Sequence, residues 1–345
     1  MKITKLSFLA CLVLIIAGLF VNPSVGAQPL SLTKEEMIRY TPLWKGDRFP
    51  DGRPKVSDDI VQRMRYVTIT EAWGALQGMS DTEAAASGGG FRRNTYTNQY
   101  YGGFKRMFDD VTICGRAATI QFMPYRPDVN NVINEDGKAN GKTAAQFTWG
   151  IDQLAKGDVY VANVCEGILD ASHVGDNMGT TIWTRSGNGA IIRGTVRDTE
   201  GNMSMEGFNM FVRDFRPESN SSNMVIGING PIQIGYVTVM PGDIVLAKFE
   251  GVVIIPPHLA QTVVEDSEET RMRDVFAHAG VKEGRFTAAQ ADGGYTEAMN
   301  KEFNQWLRDN ADSMGKFFDD PKKAPSPEFI RAYIKKREAN PPRPR

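Results

Sequence analysis

The amino-acid sequence predicts an α/β protein whose mixed core lies between helical segments at both ends. Three observations carry this expectation. Residues 111–265 alternate β-rich runs, bounded by Gly, Pro and Asp, with helical stretches, which is the texture of a sheet covered by helices. Helix-start signals cluster before residue 80, and apolar residues return at helical spacing after about 265. The 345 residues, 41% apolar and 23% charged, suffice for one or two domains with a real core. That composition excludes a disordered, collagen-like or coiled-coil chain.

In chain order, residues 1–27 read as an export signal. Lys2 and Lys5 precede the apolar run 6–20, and Val25-Gly26-Ala27 supplies a small-x-small cleavage site after Ala27. The run is short for a membrane span, and no second one of about 18 apolar residues follows. The expectation is a periplasmic or secreted protein with no membrane association after cleavage. Residues 28–110 read as a helical region with a glycine and aromatic insertion. Thr33 and Glu36 make a capping box, Ser57 caps a segment holding Ile60, Val61 and Met64, and Thr70 opens one holding Trp73 and Leu76. Gly88-Gly89-Gly90 and the aromatic stretch through Tyr96, Tyr100, Tyr101 and Phe104 then read as a long surface excursion.

The core, 111–265, holds β-rich runs at 111–122, 158–164, 189–192, 232–239 and 244–255, with helices expected at 143–154 and 175–184. The remainder, 266–345, reads as a helical extension ending in a basic, Pro-rich tail. Ser267 is taken as a helix cap, and Met299, Phe303, Trp306 and Leu307 share one helix face.

Charge and cysteine usage narrow the function. Formal charge is −1, or −3 without the leader's two lysines, which argues against a nucleic-acid partner bound by bulk positive charge. Three cysteines without a CxxC spacing exclude the common zinc frameworks, and Cys114 and Cys165 are either a pair or two small buried residues. The stretch from Gly137 to Thr143 has three residues between its glycines where a phosphate loop needs four, so it reads as a hydrophilic turn. The triple glycine before Arg92 and Arg93 reads as a flexible loop rather than an anion site. No GxSxG elbow occurs, and His173, His258 and His278 are the only imidazoles, so a Ser-His-Asp hydrolase finds little support. His173 reads as structural.

The informative stretch is 157–198. Gly175-Asp176-Asn177-Met178 falls at a loop-to-helix step, and twenty residues lie between Asp176 and Arg197-Asp198 at the end of a strand. Strict alternation would send adjacent Arg and Asp side chains to opposite faces, so both reach one cleft only if the backbone leaves strand geometry. Gly194 is the residue expected to permit this. The alternative is a surface ion pair. The spacing Asp, twenty residues, Arg-Asp resembles the RraA-like family, which holds the regulator of ribonuclease E activity and divalent-metal pyruvate aldolases. Gly115-Arg116-Ala117-Ala118-Thr119, Pro241-Gly242-Asp243 and Glu250-Gly251-Val252-Val253-Ile254-Ile255-Pro256 resemble other strands of that family, and the likeness covers about 57–280.

The resemblance implies a swivelling β/β/α core, assembled as a trimer or a pair of trimers. It implies that Asp198 binds Mg²⁺ or Mn²⁺, with Asp176 acting through a water, and that Arg197 grips a substrate carboxylate. The amides of Gly175, Asp176, Asn177 and Met178 would hold the pyruvyl end of a 2-oxo acid. The residue types agree: oxygen ligands suit hard cations that keep several waters, Arg offers a planar fork, and a helix start presents free N–H groups to an anion. The implied reaction is retro-aldol cleavage of a 4-hydroxy-2-oxo acid to pyruvate, with oxaloacetate decarboxylation as a related activity. A non-catalytic binding or regulatory protein is the alternative. Departures from the family pattern are Asn163 where an Asp is usual, and Lys248-Phe249-Glu250 before Gly251. Glu265, Glu268 and Glu269 are candidates for an acidic residue that a neighbouring subunit lends to the site. No glycine-rich S-adenosylmethionine loop follows an early strand, so a methyltransferase is rejected.

Overall fold

The computed structural model describes residues 30–77, 96–143, 145–167 and 170–341. The leader and the triple glycine at 88–90 lie outside the described residues. Eleven strands are present among those described: β1 (Tyr100–Tyr101), β2 (Lys105–Arg106), β3 (Ile113–Pro124), β4 (Asp158–Asn163), β5 (Ala190–Val196), β6 (Met210–Phe215), β7 (Asn223–Ile228), β8 (Ile232–Ile234), β9 (Val237–Val239), β10 (Ile244–Lys248) and β11 (Gly251–Ile255). One sheet runs β1-β11-β10-β3-β4-β5-β6-β2, with β7 also pairing β3, while β8 and β9 form a separate hairpin. The four central strands β3 to β6 are parallel and the remaining pairings are antiparallel.

The two edges of this sheet are β1 and β2, which only residues 102–104 separate. So short a strap spans roughly 14 Å at full extension. The sheet therefore curls until its edges nearly meet. Alternation fills both faces: Ala117, Val159, Val161, Ile191, Phe211, Val245 and Val252 point inward against Phe104 and the β8–β9 hairpin, while Ile120, Tyr160, Ala162 and Ile192 join a second core outside. The aromatic stretch expected as a surface excursion is thus in part this strap, with Phe104 buried.

The helices are α1 (Lys34–Tyr40), α2 (Asp58–Met64), α3 (Ile69–Gln77), α4 (Pro127–Ala139), α5 (Asp176–Ser186), α6 (Thr199–Met203), α7 (Ala260–Lys282), α8 (Ala288–Asp292), α9 (Glu297–Asn310) and α10 (Pro327–Ala339). The Thr33–Glu36 capping box and the Ser57 cap form as expected. Helices α2, α3 and the first half of α7 cover β10 and β11. The second half of α7 packs with α9 and α10 around Phe276, Phe303 and Ile330, a core made only of C-terminal residues.

Several local expectations are corrected. The described residues of 143–154 hold two 3₁₀ turns, at Gln146–Thr148 and Ile151–Gln153, in place of the expected helix. Ser267 lies inside α7, which begins at Ala260, and its hydroxyl donates to Glu71 at 2.8 Å rather than capping anything. Cys114 and Cys165 are both free thiols. Burial pushes the Cys114 thiol up to about 12. Arg53 and Asp158, both buried, pair at 3.2 Å and pin the N-terminal segment to the start of β4.

Candidate functional site

Beyond β4, residues 171–174 run parallel to the end of β5. Ser172 bridges Thr195, the His173 N–H donates to the Thr195 carbonyl at 2.8 Å, and the Arg197 N–H donates to the Val174 carbonyl at 2.9 Å. This pairing delivers Gly175 to the side of Arg197 and Asp198. From Asp176 the eleven-residue α5 runs out, Gly187 closes it in the left-handed region at φ 64°, and seven-residue β5 runs back. Helix and strand span roughly 17 Å and 23 Å, so Asp176 and Arg197 finish at the same end. The twenty-residue spacing is the length of one excursion out and back.

β5 shifts register against β6 between Ile192 and Thr195, around Gly194, and the backbone leaves the strand at Asp198. Asp198 adopts φ 51°, ψ 47°, the left-handed region that Asp enters more readily than most side chains. Gly194 sits within this irregular stretch of β5, where a Cβ would strike Val164. The turn at Asp198 folds its carboxylate back beside Arg197, with Oδ2 at 3.4 Å from Nε, and the two side chains are 46% and 40% exposed. Both lie against Gly175: a Cβ there would meet Asp198 Oδ2 and Arg197 Nε. Asp176 packs on Gly201 of α6, and its Oδ1 accepts the Asn177 N–H at 2.8 Å. The structure brings Arg197 and Asp198 together against Gly175, with Asp176 the next residue along and its carboxylate turned to Gly201. Gly175 is the N-cap of α5 and has no side chain to cap it; of the first amides, that of Asn177 is taken by Asp176 Oδ1.

Sequence reasoning missed Asn202. It is fully buried, and its Nδ2 donates to the carbonyls of Arg197 and Asp198 at 3.0 and 3.1 Å. It approaches Gly179 so closely that no Cβ fits there. Asn202 thereby ties the Arg-Asp turn to α5. A small residue four places after Asp198 was the only signal, and it is indistinguishable from a surface asparagine.

Other candidates are occupied elsewhere. Glu268 is buried and bound by Arg63 at 2.6 and 2.9 Å, Glu269 pairs with Lys336 at 2.9 Å, and Glu265 accepts from Gln261 at 2.7 Å. Asn163 donates to Gln121 at 3.2 Å. His173 is buried between Phe122 and Tyr160, with Nε2 at 2.6 Å from the Tyr160 hydroxyl, and burial pushes its pKa down to about 3. It is a neutral structural side chain.

The Arg-Asp cluster stands on an open shelf. Cavities of 610, 570 and 210 Å³ among the described residues are lined by other side chains. Among the described residues no group of three or more His, Cys, Asp or Glu is placed to hold a metal ion. Two carboxylates with open lone pairs fit a cation that keeps most of its water, the behaviour of Mg²⁺.

Residues 67–254 match the model of the RraA-like family, described as Aldolase/RraA. The chain belongs to the RraA-like family. That RraA-like stretch contains the whole α5–β5–α6 unit and all the strands of the curled sheet save the last residue of β11. The chain is 28% identical over 182 residues to Protein DlpA of Legionella pneumophila, which covers 52% of this chain and 27% of that protein, so it spans about a quarter of that relative. An uncharacterised Pseudomonas syringae protein shares the fold at a TM-score of 0.52 and 18% identity, over 72% of this chain and 99% of the other. RraAS2 of Streptomyces coelicolor, described as an unusual member of the RNase ES inhibitor RraA protein family, matches at 0.50 and 22%, over 65% and 99%. The RraA-like family includes both metal-dependent aldolases or lyases and non-catalytic ribonuclease inhibitors.

Proposed function

We propose that this RraA-like protein is a divalent-metal-dependent lyase that releases pyruvate from a 4-hydroxy-2-oxo acid, with decarboxylation of oxaloacetate as a related activity. One observation supports the reading: the Arg197–Asp198 pair lies against Gly175, the residue next to Asp176 at the start of α5, although twenty residues separate the acid from the pair. Asp198 would hold Mg²⁺ or Mn²⁺ directly and Asp176 through a water. The bound cation supplies Lewis-acid stabilisation of the charge that develops on the 2-oxo oxygen as the carbon–carbon bond breaks.

The chain's own residues do the rest. The amides at the start of α5, from Gly175 to Met178, with that of Asn177 held by Asp176 Oδ1, would receive the pyruvyl carboxylate, where the helix dipole favours negative charge. Arg197, its side chain forty per cent exposed and its Nε beside Asp198, would grip a second carboxylate, a charge-assisted pair worth about 1.5–3 kcal/mol. Asn202 holds both peptide carbonyls of the pair and so keeps the guanidinium and carboxylate on one side. The open shelf favours an assembly, trimer or hexamer, in which a second copy closes the site. Export to the periplasm or beyond remains part of the proposal.

The same open shelf favours the second reading, a non-catalytic binding or regulatory protein. A coupled assay separates them. Purified protein, with added Mg²⁺ or Mn²⁺ and with EDTA, is incubated with oxaloacetate and several 4-hydroxy-2-oxo acids, and pyruvate is followed through lactate dehydrogenase. Metal-dependent pyruvate release is expected; its absence with every substrate leaves the binding reading.

A further inference from the structure

We propose that the 570 Å³ cavity beside the N-terminal segment binds an arylalkylamine, its ammonium group on Asp243 and its ring among Tyr40, Trp44 and Tyr96. The lining comes from four stretches, 40–45, 96–99, 238–243 and 256–258. The first and last lie outside the residues that match the RraA-like model, so the cavity is built only in part from the family's core. Its N-terminal wall is fixed in advance. Arg48 donates to the Thr41 hydroxyl at 2.8 Å and to the Thr41 and Trp44 carbonyls at 2.9 and 3.2 Å. The Trp44 indole N–H donates to the Asp47 carbonyl at 2.7 Å, which sets the ring. Size and lining suit a small organic molecule: mostly apolar and aromatic walls with a few polar groups.

Asp243 is the observation that selects an amine. It lies in the turn between β9 and β10, is only 4% exposed, and lines the cavity. Its Oδ2 accepts the Met240 N–H at 2.8 Å. Its Oδ1 has no partner among the described residues and, unlike the unpaired atoms of the interior, is not sealed off. Among the described residues no basic side chain pairs with this carboxyl. Lys45, which also lines the cavity, donates instead to the Pro42 carbonyl at 2.7 Å. Burial pushes the Asp243 carboxyl up to about 8, opposed only by the Met240 N–H. A carboxyl so placed is neutralised either by a proton or by a cation that enters the cavity. A primary ammonium supplies the counter-charge and a charge-assisted hydrogen bond to Oδ1, and aromatic faces favour a cation beside them. The apolar lining takes the rest of the ligand. The site shares no residue with the Arg197–Asp198 shelf and does not depend on the lyase reading.

The test uses the full-length protein and titration calorimetry. The probes are benzylamine, phenethylamine and tryptamine, each beside the alcohol of the same skeleton, with phenylacetate as the anionic control. We expect at least one amine to saturate the protein with a dissociation constant around the millimolar range or below, and its alcohol and phenylacetate to bind at least about tenfold more weakly. Asp243→Asn keeps an acceptor for the Met240 N–H but removes the charge, so it should weaken the amine by about tenfold and leave any alcohol binding unchanged. Tyr40→Ser, at a position 56% exposed, should weaken the amine by about threefold with no change in Tm. Asp198→Asn should leave amine binding as it is. The proposal is overturned if no amine saturates, if the alcohols or phenylacetate match the amines, if Asp198→Asn abolishes binding, or if Asp243→Asn with a wild-type Tm keeps full amine affinity. Should Asp243→Asn fail to fold, Tyr40→Ser decides, and unchanged amine affinity there overturns the proposal.

Discussion

Replacing Asp198 separates its charge from its backbone role. Its φ of 51° costs an ordinary L-residue about 1–2 kcal/mol, whereas Asn tolerates the region as Asp does and Gly enters it freely. Its side chain makes no helix-capping hydrogen bond, so no cap is lost on substitution. The ion pair with Arg197, 3.4 Å long between two half-exposed groups, is worth less than about 1 kcal/mol. Asp198→Asn and Asp198→Gly should therefore fold with stability within about 1 kcal/mol of the parent, while Asp198→Ala loses about 1–2 kcal/mol, a few degrees in Tm. Turnover behaves differently. All three variants lack the proposed metal ligand, and a loss of several kcal/mol of transition-state stabilisation lowers kcat/KM by about a thousandfold or more. Differential scanning calorimetry and the coupled pyruvate assay give the two readouts. If Asp198→Asn keeps more than about a tenth of wild-type turnover with added metal, the carboxylate is not the ligand and the site reading fails.

Three further outcomes are expected. Gly175→Ala, at an extended φ that any residue adopts, places a methyl group against the Arg-Asp pair and should lower kcat/KM by about a hundredfold with little change in Tm. Arg53→Met strands buried Asp158 and should cost about 3 kcal/mol or more in denaturant titration, with Asp158→Asn in the same chain recovering part of it. His173 stays neutral in the fold down to about pH 3 but takes up a proton near its ordinary value of 6.5 when unfolded. Its contribution is complete above pH 6.5 and is lost as pH falls towards 3, by about 1.4 kcal/mol per unit, so His173→Gln should flatten the acid side of a Tm-against-pH curve.

The sheet was legible wherever strands are apolar on both faces. Runs such as Asp158–Asn163 and Gly251–Ile255 carry their burial in their composition. β6 and β7 were missed because their apolar runs are short and flanked by Asn, Arg and Gly. α4 was missed because its burial is narrow: Ile133, Asn130 and Gly137 face inward, and Gly137 reads as a turn although it is the gap that admits Trp149. The reverse error at 143–154 has the same root, since Phe147, Trp149 and Ile151 fill space without completing a helical turn. For the site, spacing marked Asp176 and Arg197-Asp198, but their proximity depends on residues 171–174 running parallel to β5, a long-range pairing that local pattern does not encode. Asn202 acts through backbone carbonyls, and such work leaves no mark on residue type.

The strap between β1 and β2 bears on how the molecule is made and how it meets its copies. Both terminal strands are two residues long, and β1 and β2 pair with chain about 150 and 105 residues further on. A ribosome must deliver β6 before the β2 seam and β11 before the β1 seam can form, so these stitches of the curled sheet come late and carry a heavy loop-closure burden. Once sewn, the two short strands shield part of the outer edges of β6 and β11, a guard against indiscriminate strand addition at two places where the ladder would otherwise lie open.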